Sequence, residues 1–521
     1  MILTPRCDAS PDPGVQAGLV GLAPAGYAVW INGQPARTLT GDLPALGVSW
    51  RRDGQYWRLT HPLGQLQVDP ARYTPFYFLL PLQGPVAEVE IEARQGTEVL
   101  VASADLYFNP EPTPVYSVTV DDTADLLAEL VRQPSRYPSL FDHPILAFAR
   151  DLHRRYGAVF TFFLFYQGTT YAQFDLSQMS DRYRDEWAQN ADWLRLGFHA
   201  RAMLPTSPYV HATTEQALGD FAAVRDQVLR FAGPGSWDPL LRSHYWSGSR
   251  EAVRAWHQAG IRGFYGAAPG YPGYYLTAEQ NSLVHQGDYW WDQAEDVFFI
   301  QTDIWLERDF ADPGGAHTTV DSLVPVRLDS LFRQPYASQN VQVFTHESLL
   351  LDHAVAWQVR QRLEETAAWL AAHGYESHFD SKMPFFNTLL PPPTDLHLES
   401  TSADSLTLSW NHHPRQSPCR YQVYHKDLAN PAAPWVKVGE GAGTRFTDAW
   451  RAGVYLYRVY AVDGEERRSA GSSPLRVSFH PVPDFNGDKK VNGEHGGLLR
   501  PGRSFRPAAG RIGVQPYLRP Q

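Results

Sequence analysis

The sequence predicts a multidomain protein with an N-terminal β-sandwich, a central (β/α) barrel of about seven strands and a C-terminal β-sandwich. Three observations predict this order. The 521 residues give room for about three or four domains of ordinary size. Apolar and polar residues alternate near both ends of the chain, whereas short apolar runs alternate with helical patterns between them. Proline-rich segments at 110–114 and 391–393 are stiff and mark the boundaries.

The composition excludes several classes of protein. With 43% hydrophobic and 19% charged residues, the chain has enough apolar material for folded cores. The net charge is -11 and no long basic stretch occurs, so we expect no nucleic-acid partner. No run of about 18 apolar residues is present, so we expect no transmembrane segment. The aromatic content of 13% suits stacking on sugar rings as well as a large core.

The N-terminal part divides into a short tail and a sandwich. We expect residues 1–14 to be disordered, and they lack the apolar core of a signal peptide. We expect residues 15–112 to form the sandwich, because segments such as 27–31 and 87–92 alternate apolar and polar residues between turns. This sandwich would brace the barrel or bind glycan.

The central part, 115–388, is the expected catalytic domain. Seven apolar runs alternate there with helical stretches, which is typical of a parallel barrel. The predicted strands are 116–120, 159–165, 194–199, 241–246, 260–265, 297–304 and 341–345. In such barrels the chemistry lies at the C-terminal ends of the strands.

Ionisable residues stand at several of those strand ends. They are Asp121, Asp122, His199, Arg242, His244, Asp303, His346 and Glu347. Imidazole and carboxylate together suit a divalent metal such as zinc, with one coordination position left for water. Each residue also has a structural interpretation, because an Asp pair can cap the next helix and a histidine can simply be hydrogen-bonded.

Three of these segments resemble motifs of the NodB-type polysaccharide deacetylases. Thr119, Val120, Asp121 and Asp122 resemble the first motif, Gly197 to His199 the second, and Phe344 to His346 the last. The resemblance implies that Asp121 is the catalytic base, that Asp122 and His199 bind the metal, and that His346 is the general acid. It also implies that Arg242 takes the place of the third-motif arginine.

The sequence departs from that family at the third metal ligand. The family pairs two histidines four residues apart, whereas the fourth residue after His199 is Met203. We expect His244 to be the third ligand, with His211 as the second choice. Seven residues are expected to bind substrate at the top of the barrel, although the aromatic ones also suit barrel packing. They are Tyr166, Arg242, Tyr245, Trp246, Tyr265, Asp303 and Glu347.

The C-terminal part resembles two modules of extracellular proteins. Residues 391–480 resemble a fibronectin type III domain, through Leu406 to Trp410, Tyr421 to Tyr424 and the run 455–462. Residues 481–521 resemble half of a dockerin-like calcium loop followed by a disordered tail. Its calcium ligands would be Asp484, Asn486 and Asp488. These modules imply an extracellular or cell-surface location and a cohesin-like or matrix partner.

Three functions are consistent with the sequence. The first is a metal-dependent deacetylase that acts on a polysaccharide or oligosaccharide. The second is a glycoside hydrolase on the same barrel, which would use two carboxylates from Asp121, Asp122, Asp303 and Glu347. The third is a non-catalytic glycan-binding or scaffold protein.

Overall fold

A computed structural model describes most of the chain. The described residues are 7–8, 16–43, 48–61, 64–81, 86–107, 114–267, 271, 273–284, 289–309, 328, 340–352, 355–382, 389–402, 405–413, 419–430, 432–449 and 453–479. The chain divides into two compact units. One combines the region up to residue 108 with the region from 388, and the other spans 109–387. The residues expected to bind calcium, Asp484, Asn486 and Asp488, lie outside the described residues, as do the two tails apart from 7–8.

In the described part of the N-terminal region, all regular secondary structure is β-strand. Its strands are β1 (Cys7–Asp8), β2 (Gln16–Pro24), β3 (Ala28–Ile31), β4 (Gln34–Pro35), β5 (Arg37–Thr38), β6 (Ser49–Asp53), β7 (Tyr56–His61), β8 (Gly64–Val68), β9 (Tyr73–Pro81), β10 (Val86–Gln95) and β11 (Glu98–Tyr107). Two four-stranded sheets have the orders β1-β2-β9-β5 and β11-β10-β3-β4, and β6-β7-β8 form a third sheet. Leu19 and Phe76 from the first sheet share a buried core with Ile31 and Val89 from the second. The alternation of the sequence therefore does correspond to a sandwich.

The central unit contains one large sheet. Its strands are β12 (Val115–Thr123), β13 (Phe160–Phe165), β14 (Leu194–Ala200), β15 (Trp237–Leu241), β16 (Gly263–Tyr265), β17 (Tyr289–Asp292), β18 (Val297–Ile300), β19 (Ile304–Trp305), β20 (Asn340–His346) and β21 (Glu376–Ser377). The order is β17-β18-β16-β15-β14-β13-β12-β20-β19, with β21 beside β12. Neighbours in this order are parallel except β17, which runs antiparallel to β18. All of β13 is buried, as expected for a parallel strand covered on both faces.

Helices connect these strands. They are α1 (Asp125–Arg132), α2 (Pro144–Tyr156), α3 (Arg184–Gln189), α4 (Thr214–Phe231), α5 (Arg250–Gln258), α6 (Ala278–Val284), α7 (Leu306–Asp309), α8 (Glu347–Leu351) and α9 (Ala356–Ala372). Their ends follow from the sequence. Helix α2 begins with Pro144 after a capping His143 and ends at Gly157 in the left-handed conformation. None of the helices in the described part of the chain is long and apolar enough to span a membrane.

The central sheet leaves one part of the prediction open and corrects another. It curls into a half-barrel, and its edge strands β17 and β19 are not paired with each other among the described residues, so a closed barrel stays a prediction. The predicted strand 241–246 is displaced, because the strand is 237–241 and residues His244–Trp246 form a 3-10 turn. Pro239 lies within the observed strand, and proline is uncommon inside strands, so the sequence did not indicate a strand at 237–241. The aromatic residues 245 and 246 have high strand propensity, so the sequence indicated one there instead.

The C-terminal region is a second sandwich. Its strands are β22 (Thr394–Thr401), β23 (Ser405–Asn411), β24 (Cys419–Asp427), β25 (Val436–Gly441), β26 (Arg445–Ala449), β27 (Gly453–Asp463) and β28 (Leu475–Phe479). They form a three-stranded sheet, β22-β23-β26, and a four-stranded sheet, β25-β24-β27-β28. Leu408 and Trp410 of the first sheet share a core with Val423 and Val459 of the second. This seven-stranded, two-sheet arrangement is that of the predicted module.

Buried ion pairs join the two sandwiches within their unit. Lys426 Nζ of β24 lies 2.5 Å from Glu90 Oε1 and 2.7 Å from Glu92 Oε1, both on β10. All three side chains are almost fully buried. Nearby, Glu88 accepts hydrogen bonds from the Tyr460 hydroxyl and the Gly471 amide, both at 2.8 Å. The C-terminal sandwich is therefore packed against the N-terminal one within this unit.

Candidate metal centre

Three ionisable side chains meet at the C-terminal edge of the central sheet. Asp122 is near the end of β12, His199 is near the end of β14, and His244 begins the turn after β15. His199 Nε2 lies 3.0 Å from Asp122 Oδ1 and 3.2 Å from His244 Nδ1. The distance from His244 Nδ1 to Asp122 Oδ1 is 3.3 Å. Parallel strands of one sheet thus bring together residues that are far apart in sequence.

The hydrogen bonding of His199 makes its inner nitrogen available to a cation. Nδ1 lies 2.7 Å from the backbone oxygen of Arg242. A carbonyl oxygen only accepts, so Nδ1 carries the proton and, in the neutral ring, Nε2 has a free lone pair. That lone pair faces the Asp122 carboxylate and the His244 imidazole, and a proton or a metal ion must offset the repulsion. A histidine that donates its second nitrogen to a backbone carbonyl is typical of metal ligands.

Close packing of β13 against β14 depends on a glycine two residues before His199. A Cβ atom at Gly197 would lie 2.5 Å from the Phe163 ring on the neighbouring strand. Any larger residue would force that ring or the strand to move. Gly197 therefore allows β13 and β14 to pack closely beside His199.

The backbone at the cluster adopts an uncommon conformation. Asp122, Tyr245 and Trp246 have φ angles of 58°, 55° and 49°, in the left-handed region that residues other than glycine rarely occupy. Such conformations cost about 1–3 kcal/mol each and concentrate at functional sites. The backbone strain at these three residues is therefore what a functional site would show, where side-chain positions are maintained at a cost in stability.

Electrostatics keep Asp122 ionised and His244 neutral. Burial raises the pKa of Asp122, but the His199 and His244 imidazoles outweigh it, and the net pKa lies far below the usual range. Burial and the nearby His199 lower the pKa of His244, although Asp122 opposes this effect. A carboxylate and neutral imidazoles are the ionisation states in which these groups bind metals.

Arg242 organises the residues beneath the cluster. Its buried guanidinium donates to Thr119 Oγ1 and Gln342 Oε1, both at 2.6 Å, and to Asp121 Oδ1 at 3.2 Å. It lies 4.7 Å from the ring centroid of Tyr265. Arg242 therefore holds Asp121, while its own backbone oxygen orients His199. Because it is buried, we correct its expected substrate-binding role to a positioning role.

His346 forms a second ionisable pair beside the cluster. Its Nδ1 lies 3.5 Å from Glu307 Oε1, and the Glu307 carboxylate also accepts from the His346 amide at 2.8 Å and from the Thr345 hydroxyl. Burial lowers the pKa of His346, but Glu307 outweighs burial and raises it to about 9. Burial favours protonation of Glu307, yet His346 keeps its pKa below the ordinary value. His346 therefore holds a proton at neutral pH.

A pocket of about 310 Å³ opens over these groups. Its ionisable lining is Asp122, His199, His244 and His346. Its other lining residues are Thr206 and the apolar and aromatic residues Met203, Leu204, Tyr245, Trp246, Tyr271 and Trp305. The pocket thus combines a small polar end with a large apolar wall, which is typical of ligand sites.

Several residues expected to bind substrate lie elsewhere. Glu347 is buried, and its carboxylate accepts from the amides of Ala124, Asp125 and Leu126 at 2.7–3.0 Å. It therefore caps helix α1, which corrects the expectation. Burial raises its pKa to about 8, although these amides oppose the effect.

Three other expected substrate-binding residues also have structural partners. Asp303 Oδ2 accepts from the Gln342 amide at 2.8 Å, and the buried Tyr265 hydroxyl donates to Asp380 at 2.7 Å. Both expectations are corrected, since these polar groups serve the sheet. Tyr166 is half-buried against the Arg201 guanidinium and is not among the described lining residues.

The choice between the two candidate third ligands follows from their positions. His244 belongs to the cluster, whereas His211 is exposed and outside it. Asp121 is 3% exposed. It is not one of the described residues that line the pocket. Of the expected substrate-binding residues, Tyr245 and Trp246 are the two that line it.

Sequence reasoning missed the partner of His346. Glu307 lies in α7, directly after β19, and four residues beyond Asp303. The predicted strand 297–304 drew attention to Asp303, and Glu307 lies beyond the end of that strand. No sequence pattern indicated that Met203 and Leu204 line the pocket, because this depends on the path of the loop after β14.

Comparisons with known proteins add little to this site. No protein-family model matches the chain, and no curated protein matches it. Among solved structures, it is similar to the titin kinase with its flanking domains, at 24% identity over 17% of this chain and 17% of that chain, with a TM-score of 0.15. It is also similar to a fibronectin type III domain of human fibronectin type III domain containing protein 3, at 16% identity over 19% of this chain and 95% of that one, with a TM-score of 0.17.

A third similar structure is the fourth fibronectin type III domain of a human protein, at 20% identity over 18% of this chain and 79% of that chain. Its TM-score is 0.16. The chain covers less than a third of the length of the titin kinase structure. The strand order of β22 to β28, rather than these matches, establishes the C-terminal sandwich.

Proposed function

We propose that the chain is a metal-dependent hydrolase that removes acyl groups from a carbohydrate, as its resemblance to NodB-type deacetylases implies. The observation that carries the proposal is the convergence of Asp122, His199 and His244. Their three ligand atoms all lie within 4.8 Å of one another. Two imidazoles and one carboxylate that leave room for a substrate are typical of catalytic zinc sites.

A zinc ion bound there would supply Lewis acidity toward the acyl carbonyl and would lower the pKa of water. The chain itself contributes the ligand geometry. The backbone oxygen of Arg242 orients the His199 ring at 2.7 Å, and the lowered pKa of Asp122 favours its ionised, metal-binding form. Rigid preorganisation of this kind is what a hydrolytic site requires.

Two groups would move protons in the reaction. His346, which lines the pocket, is proposed to donate a proton to the leaving amine or alcohol. Asp121, which lies beneath the pocket, is proposed to accept the proton of the attacking water through one bridging water molecule. The two residues are direct partners across β12 and β20, so they lie at the same level of the sheet. The raised pKa of His346, about 9, means that it carries a proton to donate.

The alternatives have less support. A glycoside hydrolase needs two carboxylates that flank one bond, whereas those of Asp303 and Glu347 accept hydrogen bonds from backbone amides. A protein that only binds glycan needs neither the Asp122, His199 and His244 cluster nor a protonated His346 beside it.

Release of acetate tests the proposal. The full-length protein, loaded with zinc, is incubated with acetylated chitooligosaccharides and acetylated xylan, and acetate is measured. We expect turnover that is lost on chelation and restored by zinc. Asp121→Asn and His346→Gln should lower kcat by about 100-fold or more, in line with the loss of general acid or base catalysis.

His211→Gln is the matched control, because this exposed histidine lies outside the cluster. It should keep wild-type turnover. Metal-independent turnover, or full activity in folded Asp121→Asn and His346→Gln proteins, would contradict the proposal.

A further inference from the structure

The pocket has an aliphatic edge formed by two consecutive residues, Met203 and Leu204. They lie in the loop after β14, the strand that carries His199. Met203 is 51% exposed and Leu204 is 72% exposed. A single exposed apolar side chain is ordinary, but two adjacent ones at the mouth of a pocket with an ionisable cluster indicate a contact with ligand.

The pocket is larger than an acetyl group requires. Its volume is about 310 Å³. An acetyl group and one water molecule fill on the order of 100 Å³, if each water-sized unit takes about 30 Å³. Most of the volume is therefore available to other parts of the substrate.

The chemistry of the edge restricts what fills that space. Sugar hydroxyls need hydrogen-bond partners when they are buried, and the side chains of Met203 and Leu204 offer none of useful strength. Polar partners come from other lining residues, namely the hydroxyls of Thr206, Tyr245 and Tyr271 and the ionisable groups. The edge formed by Met203 and Leu204 therefore suits an uncharged, apolar group, whereas a sugar ring would find its hydrogen-bond partners elsewhere in the pocket.

We propose that the substrate carries an apolar group larger than acetyl next to the scissile ester or amide, and that this group packs against Met203 and Leu204. The inference rests on the proposed function, since it concerns the same site. The apolar group belongs either to the acyl part or to the leaving side. In both cases the group would be an alkyl chain.

Two substrate series distinguish these sources. One is N-acylated glucosamine with acetyl, butanoyl, hexanoyl and octanoyl groups, and the other is acetylated glucosamine as its methyl, butyl, hexyl and octyl glycosides. Full burial of a methylene is worth about fourfold in binding, so we expect kcat/KM to rise about twofold or more per methylene in one series. The series that responds identifies the side of the bond.

The variant Leu204→Ser should reduce that slope. Val210→Ser is the matched control, because Val210 lies in the same loop and is 42% exposed, yet is not among the described lining residues. It should keep the wild-type slope. Turnover of acetyl compounds with flat dependence on chain length in both series would overturn the inference while leaving the proposed function intact.

Binding keeps the inference testable if nothing is turned over. Calorimetric titration of the metal-stripped protein with the same compounds should show affinity that rises with chain length and that weakens in Leu204→Ser. Absence of turnover with this binding pattern would defeat the proposed function alone. A flat binding series would defeat the inference in either case.

Discussion

The backbone oxygen of Arg242 lies 2.7 Å from Nδ1 of His199, and the guanidinium of the same residue donates to Asp121 at 3.2 Å. One residue thus orients both an expected metal ligand and the expected base. The main chain sets the tautomer of His199, and the side chain sets the position of Asp121. Any change that moves the segment after β15 would disturb both groups together.

Glu307 is expected to control the pH range of activity. His346 acts as an acid in its protonated form, so activity should be present below its pKa of about 9 and lost as the pH rises through that value. The variant Glu307→Gln removes the negative charge that contributes most to raising the pKa of His346. The basic limb of the kcat/KM profile should then shift to lower pH.

The control for that variant is Glu376→Gln, which alters an exposed pair between Glu376 and His378 and should leave the profile unchanged. NMR titration of His346 in both proteins measures the same shift without turnover. A basic limb and an NMR pKa that are unaltered in Glu307→Gln would contradict the assignment of Glu307 as a positioning residue.

Glu347 is expected to matter for stability. Its carboxylate accepts hydrogen bonds from three buried amides at the start of α1. Leaving buried donors unpaired costs about 1–3 kcal/mol each, so Glu347→Ala should lower the free energy of unfolding of the central unit by about 3 kcal/mol or more. Urea denaturation measures this. Glu364→Ala, at an exposed ion pair with Arg155, should cost less than about 1 kcal/mol; equal stabilities of the two variants would refute the capping role.

Lys426 is expected to hold the two sandwiches together. In Lys426→Met the buried carboxylates of Glu90 and Glu92 lose their shared cation, and breaking such a pair costs about 3–5 kcal/mol. The unfolding transition of this unit should move to lower denaturant. Lys437→Met, which removes an exposed pair with Glu440, should shift it little. An unchanged transition in Lys426→Met would show that the buried pairs do not stabilise the unit.

The local parts of the fold were predictable from the sequence, and the long-range parts were not. Period-two alternation indicated the strands of both sandwiches, and buried runs such as β13 indicated the parallel sheet. The contact between Lys426 and Glu90 joins residues 336 positions apart, and no local pattern encodes such a pairing. The same limit explains why two sandwiches at opposite ends of the chain form one compact unit.

The candidate site divides in the same way. Strand ends indicated Asp122, His199 and His244, because parallel strands bring their C-terminal ends to one edge. They also indicated Asp303 and Glu347, which the structure shows bonded to backbone amides instead. Residue type at a strand end does not reveal which way a carboxylate points. Glu307 was missed because it lies beyond the end of the predicted strand 297–304.

Metal content is the most direct test of the central claim. Purified protein, equilibrated with zinc and desalted, is assayed by mass spectrometry as wild type, His199→Ala and His211→Ala. We predict about one zinc per chain in wild type and His211→Ala. Folded His199→Ala should hold almost none, because the loss of one of three protein ligands weakens zinc binding. Zinc absent from the wild type, or retained equally by His199→Ala, would contradict the assignment of Asp122, His199 and His244 as a metal centre.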